Sequence, residues 1–289
     1  MSSHDRLLDM RGRICLITGA TSGIGRVTAR ELVRRGASLL IVSRDRARGE
    51  ATLAELKAAG DKASLDLLHA DLSIQASIRE LARQIRERTD RLHVLINNAG
   101  VICQTRRITP DGIEATLAVN HLAPFLLTNL LEDLLLAAAP SRVVTVASAA
   151  HKVGKIDFDD LQRERRYGGF SAYAQSKLAN VLFTYELSRR LSGRGMTANC
   201  LHPGAVDTNL WRESRGAMRW AIRAARPFFL TAEQGAAGVV ELASSAALEG
   251  VTGEYFSKGR AMRSSRASYD TAAAGRLWEM SAALAPASA

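Results

Sequence analysis

The sequence predicts an α/β protein with a doubly wound, mainly parallel sheet of seven strands, in a single domain over residues 1–289. Three observations predict it. Short apolar runs alternate with segments of helical periodicity, as right-handed strand–helix–strand crossovers require. A glycine-rich turn follows the first apolar run and opens the first helical segment. No Pro/Gly/Ser-rich linker, internal repeat or low-complexity block divides the chain.

The elements follow in order. Ile14–Thr18 is an apolar run ended by Gly19, which fits a strand buried on both faces. Ile24 to Arg35 places Ile24, Val27, Thr28, Leu32 and Val33 on one helical face, and Gly36 stops it. Ser38 to Ser43 is the second strand, Arg46 to Ala59 a helix closed by Gly60, and Leu65 to His69 the third strand. A helix over Ile74 to Arg88 is carried by Ile74, Ile78, Leu81, Ala82 and Ile85, and Val94 to Ile96 is the fourth strand. Gly112 to Leu136 reads as one long helix bent at Pro124, whose ring clashes inside a straight helix. Val143 to Ala147 is the fifth strand, Ala172 to Leu191 a helix, and Thr197 to Leu201 the sixth strand. A helix over Ala232 to Ser244, a seventh strand over Glu254 to Ser257 and a last helix over Thr271 to Leu284 complete the pattern.

Composition narrows the class. Hydrophobic residues make up 47% and charged residues 24% of the 289, enough apolar mass for a large core. The net charge of +10 would suit a nucleic acid, an anionic membrane or an anionic ligand. The arginines are spread over many helices without the aromatic interleaving that stacks on bases, so no nucleic-acid partner is expected. The three cysteines, Cys15, Cys103 and Cys200, are odd in number and far apart, which predicts neither a disulfide framework nor a zinc site. His69, His93, His121 and His151 lack metal-ligand spacing and read as packing or surface residues; His202 reads as a structural hydrogen-bonder. No signal peptide and no apolar stretch of ~18 residues is present, so a cytoplasmic protein without a transmembrane segment is expected.

The chemistry-bearing residues fall at the carboxyl ends of the predicted strands, where open α/β sheets bind ligands. In the turn Thr18–Gly25 the spacing is G-x-x-x-G-x-G. Gly19 and Gly23 permit close backbone approach, Thr21 and Ser22 offer hydroxyls, and the helix start at Ile24 offers N–H groups to a pyrophosphate. Arg44 stands after the second strand, near where an acidic residue would bind the ribose 2′-hydroxyl of NAD. A guanidinium there pairs with a 2′-phosphate, so NADP(H) is expected over NAD(H). Asp71, followed by Leu72, has two readings: acceptor for an adenine amino group, or cap of the next helix, a role open to Ser73 as well. Asn98, Ala99 and Gly100 end the fourth strand with a backbone a cofactor can pass against. Pro203, Gly204, Val206 and Thr208 form the turn after the sixth strand, with Thr208 placed for the nicotinamide amide or a phosphate.

Tyr173 and Lys177 are four apart on one helix and share a face. An ammonium beside a phenol favours the phenolate, so a lowered Tyr173 pKa is expected. Ser148, at the end of the fifth strand, offers a hydroxyl to a substrate carbonyl. Asn120, a poor helix former inside a predicted helix, marks a kink or a water site, or else a core hydrogen-bonder.

Together these residues resemble the short-chain dehydrogenase/reductase superfamily over nearly the full chain. Within it the runs Ser43-Arg44-Asp45, Ser176 to Asn180, His202-Pro203-Gly204, Gln234-Gly235-Ala236 and Leu277-Trp278 resemble the retinol-dehydrogenase and WW-domain-oxidoreductase-like branch. The resemblance implies a Rossmann fold and NADP(H)-dependent hydride transfer to or from an alcohol or carbonyl carbon. It implies Tyr173 as acid or base, Lys177 as ribose holder, Ser148 as orienter of the substrate oxygen and Asn120 as holder of a relay water. It also implies a homo-oligomer built through the long helices. Residues 208–230, with arginines at 212, 215, 219, 223 and 226, read as a cover over an apolar substrate, a solvated helix face, or a peripheral contact with an anionic membrane.

Overall fold

In the computed structural model, residues 9–60, 64–206 and 229–287 are described. Strands β1 (Ile14–Thr18), β2 (Ser38–Ser43), β3 (Leu65–His69), β4 (Val94–Asn97), β5 (Ser141–Val146), β6 (Met196–His202), β7 (Tyr255–Ser257) and β8 (Arg260–Ala261) form one sheet in the order β3-β2-β1-β4-β5-β6-β7-β8. Neighbours pair in parallel from β3 through β7. The expected seven strands are therefore eight: the two-residue β8 turns back antiparallel on β7, too short to show any periodicity.

Alternation within each strand divides the core into two layers. Leu16, Leu40, Leu95 and Val143 point to one face, covered by helices α3 (Gln75–Arg86), α5 (Ala123–Leu130), α7 (Gly169–Arg190) and α9 (Thr271–Leu284). Cys15, Ile17, Leu39, Ile41, Ile96 and Val144 point to the other, covered by α1 (Gly23–Arg34) and α8 (Ala232–Ser244), with Leu56 of α2 (Arg46–Ala59) at its edge. Both faces of each central strand are thus dry, which is why these strands read as unbroken apolar runs. The three cysteines are free and buried.

The long helix expected over Gly112 to Leu136 is broken into α4 (Ala115–Leu117), a π turn (Ala118–Leu122), α5 and α6 (Glu132–Ala137). Pro124 sits in the first turn of α5, where its missing N–H costs nothing, so it marks a start and not a bend. The irregularity lies just before it and is centred on Asn120. Beside that turn, His121 Nε2 is 2.8 Å from Ser281 Oγ of α9, and Phe125 and Phe183 pack on Trp278. The C-terminal helix therefore clamps the π turn in place.

The strand order reverses between β1 and β4. The loops leaving the carboxyl ends of these two strands diverge there and leave a crevice.

Candidate active site

The turn from β1 into α1 is assembled by close backbone packing. Gly19 and Gly23 adopt positive φ (68° and 50°). A Cβ on Gly19 would stand 2.9 Å from Ala99 Cα, and one on Gly25 would overlap the Gly19 carbonyl. Asn98 staples the turn: its Nδ2 donates to the Thr18 and Gly19 carbonyls at 2.8 and 3.0 Å. The Asn98 and Ala99 N–H groups donate to Thr18 Oγ1 at 3.0 and 3.1 Å. The Asn98 side chain is thus committed to the glycine turn, and its backbone neighbours Ala99 and Gly100 form the wall a ligand would pass.

Ser22 precedes α1 but makes no side-chain cap, and the first turn holds no acidic residue. The helix start therefore points orphan N–H groups and the positive end of its dipole outward, a fit for a pyrophosphate. Thr21, Ser22 and Gly23 share a groove of about 490 Å³ with Arg26, Arg48, Ala51, Thr52 and Glu55.

Arg44 extends from the end of β2 with its side chain 75% exposed, 3.8 Å from Asp71 Oδ2. Asp45 turns away to cap α2 through the Arg48 N–H at 3.0 Å. No carboxylate is left on β2 for a 2′-hydroxyl, and Arg48 brings a second guanidinium into the groove. Sequence reasoning missed Arg48; its place one turn into α2, beyond the Arg44 position, was the available signal. The capping alternative for Asp71 and Ser73 fails. Asp71 Oδ1 closes its own turn, accepting from the Ser73 N–H and hydroxyl at 2.9 and 2.7 Å, while the first N–H of α3 goes to Asp111 Oδ2 at 2.7 Å. Leu72 lines a small recess with Thr18, Asn97, Ala99 and Val119.

Across the switch point, Ser148, Tyr173 and Lys177 come together. Ser148 ends the run of β5 and opens a 3₁₀ turn (Ala149–Val153), its Oγ accepting the Ala150 N–H at 3.2 Å. The Tyr173 phenol is its neighbour, and the Ser148 hydroxyl favours the phenolate there. Lys177 Nζ lies 5.7 Å from the Tyr173 ring centre and donates to the Val146 carbonyl at 2.8 Å. Tyr173 and Lys177 are 5% and 4% exposed, so their titration follows desolvation.

Burial raises the Tyr173 pKa, with the Ser148 hydroxyl opposing it. Burial pushes Lys177 down to about 8. The expected lowering of the phenol pKa is therefore overturned: the loss of water around the phenol outweighs what its neighbours offer the phenolate.

Asn120 is fully buried. Its Oδ1 accepts the Val101 N–H at 2.7 Å, and its Nδ2 donates to the Val101 carbonyl at 2.9 Å and Ser176 Oγ at 3.0 Å. Both amide hydrogens are spent on protein, and the side chain ties the loop after β4 to α7 at Ser176, the residue before Lys177. A Cβ on Gly100 would lie 3.4 Å from Asn120 Oδ1 and 3.6 Å from Lys177 Nζ, ordinary contacts that place Gly100 beside both side chains.

In the turn after β6, Gly204 has φ 95° and packs on Leu230, and Val206 pairs with Leu230 through a parallel bridge. Pro203 connects this turn to β6. Thr208 and most of the 208–230 stretch lie outside the described residues. His202 is held near a pKa of about 4 by burial, and its Nδ1 has no partner among the described residues.

Two further features escaped sequence reasoning. Glu114, 2% exposed, accepts the Thr116 and Leu117 N–H groups at 2.8 and 2.7 Å, and Tyr167 Oη lies 3.1 Å from it and 2.8 Å from the Cys103 carbonyl. This knot pins the segment before α7 to the loop after β4. His151 is fully buried directly beneath Ser148.

A model described as "short chain dehydrogenase" matches residues 13–219. The chain belongs to the short-chain dehydrogenase family. It is 43% identical to human retinol dehydrogenase 12 over 278 residues, 96% of this chain and 87% of the relative. It is 41% identical to mouse retinol dehydrogenase 14, over 94% of this chain and 85% of the relative. Among solved structures, an uncharacterized protein from Mycobacterium Paratuberculosis matches at 35% identity with a TM-score of 0.77, covering 96% of this chain and 95% of that one. The Pseudomonas aeruginosa RhlG/NADP active-site complex matches at 28% identity with a TM-score of 0.69, covering 86% and 95%. This short-chain dehydrogenase is therefore an oxidoreductase acting between CH–OH and C=O, on the retinol-dehydrogenase-like branch. Among its described residues no helix is long and apolar enough to cross a membrane, and no group of three or more His, Cys, Asp or Glu is placed to hold a metal ion.

Proposed function

We propose that this dehydrogenase uses NADP(H) to interconvert a small apolar alcohol and its carbonyl. The observation that carries the reading is the Ser148–Tyr173 hydroxyl pair beside the buried Lys177 ammonium, at the carboxyl edge of the sheet. The uncapped start of α1 fits a pyrophosphate, and Arg44 with Arg48 fits a 2′-phosphate. NADP(H) is further supported by the solved relative with NADP in its active site, and an apolar alcohol as substrate by the retinol dehydrogenases among the relatives.

When bound, a nicotinamide would supply or take the hydride. Gly19, Thr21, Ser22, Gly23 and Ile24 would hold the dinucleotide in the groove, with Asp71 and Leu72 toward the adenine. Ala99, Gly100, Pro203, Gly204 and Val206 form the walls, and Thr208 is assigned to the nicotinamide end. In reduction, the Ser148 hydroxyl orients the carbonyl oxygen and Tyr173 gives it the proton. A phenol kept protonated by burial suits that donor role. Lys177 is assigned to the nicotinamide ribose, and Tyr173 regains its proton from solvent; in oxidation the same groups run in reverse. A non-catalytic nucleotide sensor is not favoured, because the whole Ser–Tyr–Lys set is present and convergent.

The test is a panel of apolar aldehydes and ketones, retinal among them, followed at the reduced-nicotinamide absorbance with NADPH and with NADH. Tyr173→Phe is expected to keep NADPH binding and lose about 10³-fold or more in turnover. Turnover retained in that variant, or a clear preference for NADH, would overturn the corresponding part of the reading.

A further inference from the structure

We propose that His151 is the positioning residue for Ser148, and that it works by transmitting the C-terminal segment after β8 to the catalytic turn. The proposal rests on the role assigned to Ser148 above.

The tautomer follows from the partners. His151 Nε2 lies 3.1 Å from the Ser265 backbone N–H, which can only donate. That nitrogen must therefore accept, and the proton of the neutral ring must sit on Nδ1. Nδ1 lies 2.6 Å from the Ser148 carbonyl, to which it donates. The His151 backbone N–H donates to the same oxygen at 3.1 Å. One carbonyl thus receives two donors and fixes the peptide plane that follows Ser148. The Ala150 N–H meanwhile occupies a lone pair of Ser148 Oγ. With that lone pair taken and the backbone held, the hydroxyl is aimed at Tyr173 and at the crevice.

The ring is itself held from two directions. Tyr255 of β7 packs on it at 4.8 Å between centroids. The segment bearing Ser265 is tied to α7: Tyr185 Oη is 2.7 Å from Ser264 Oγ, which is 2.6 Å from Ser268 Oγ, and Ser268 donates to the Ser265 carbonyl at 2.6 Å. Tyr185 lies on the helix that carries Tyr173 and Lys177. A single hydrogen-bonded chain therefore runs from that helix, through the C-terminal segment and His151, to Ser148. The two halves of the catalytic pair are held against one scaffold, though they are distant in sequence.

A filler residue and a positioning residue make different predictions. His151→Leu keeps the apolar bulk and removes both ring hydrogen bonds, and it is expected to lower kcat about 10- to 100-fold, the scale of a misplaced catalytic group, with NADPH affinity unchanged. His151→Asn restores a donor near Nδ1 and is expected to recover most of that loss. Ser265→Pro deletes the remote N–H together with a hydroxyl that makes no hydrogen bond among the described residues, at a backbone φ of −67° that proline adopts, and is expected to lower kcat in the same direction but less. In a Ser148→Ala background the added effect of His151→Leu is expected to shrink to about 2-fold, because the residue it positions is gone. Nitrogen-15 NMR of labelled histidine should show His151 protonated on Nδ1.

An Nε2-protonated ring, undiminished turnover in both His151→Leu and Ser265→Pro, or a His151 effect equally large without Ser148 would overturn the proposal. If Ser148→Ala alone leaves turnover intact, the assignment of Ser148 fails instead.

Discussion

At the scale of single residues, Lys177 shows how a functional site sets itself against stability. Its ammonium is buried with one carbonyl as partner, and its pKa is pushed down to about 8 from 10.5. The unfolded chain binds this proton more tightly between those values, so folding stability rises with pH from about 8 toward 10.5. Below pH 8 the full penalty, about 3 kcal/mol by the shift, is present. Lys177→Met removes that penalty and leaves the Val146 carbonyl short of a donor, a cost of about 1–3 kcal/mol. The ligand-free variant is therefore expected to melt at or above the wild-type temperature at pH 7, with the difference shifting toward the wild type by pH 9.5, while turnover is lost. A melting temperature more than about 5 °C below wild type at pH 7 would contradict this account. The adjacency of Tyr173 and Lys177 was legible as a spacing of four on one helix. Their protonation was not, because it depends on the depth of burial, which no local pattern encodes.

At the scale of elements, the glycine turn and the π turn show opposite degrees of legibility. The turn was readable because its function requires glycine at particular positions. Gly25 faces the Gly19 carbonyl and Asn98 Nδ2 so closely that a methyl group has no room. Gly25→Ala is expected to destabilise the fold by about 2 kcal/mol, within the range for overpacking, and to weaken NADPH binding more than tenfold, because the backbone that must yield is the one facing the pyrophosphate. Calorimetric melting and a fluorescence titration with NADPH check the two effects, and wild-type values in both would refute the packing argument. The break at Ala118–Leu122 was signalled only by Asn120 as an unlikely helix residue; Pro124 drew attention to the wrong place. A bulge of this kind is fixed by partners far along the chain, here Val101, Ser176 and Ser281, and such partners leave no mark on the helix's own periodicity. The strand β8 was missed for a similar reason: two residues pair because β7 is already in place.

At the scale of the whole molecule, the strand and helix order was legible because every central strand is apolar on both faces and the first two crossover helices end at glycines, Gly36 and Gly60. The exposed charges contributed little to that reading. The histidines carry the pH dependence. His93, His121, His151 and His202 all have pKa values lowered chiefly by burial, His121 and His202 to about 4. The unfolded chain takes up these protons first as pH falls from about 6.5, so stability is full above that pH and declines toward pH 4. His121 alone, buried against Ser281 and the aromatic cluster, accounts for about 3 kcal/mol over the whole window. Urea unfolding at pH 7.5, 6, 5 and 4.5 should show a falling midpoint, less steep in His121→Asn. A midpoint that stays level down to pH 5 would show that these rings are not buried as neutral species.

The bridge between Val206 and Leu230 gives the molecule a further property. Backbone that departs at Val206 returns beside its own point of departure, and Leu230 N–H is bonded to the Ala205 carbonyl at 2.7 Å. A chimera joined at these two points, with residues 207–229 exchanged for those of another family member, is expected to keep the Val206–Leu230 bridge, and its activity on a panel of alcohols tests whether the exchanged stretch selects the substrate.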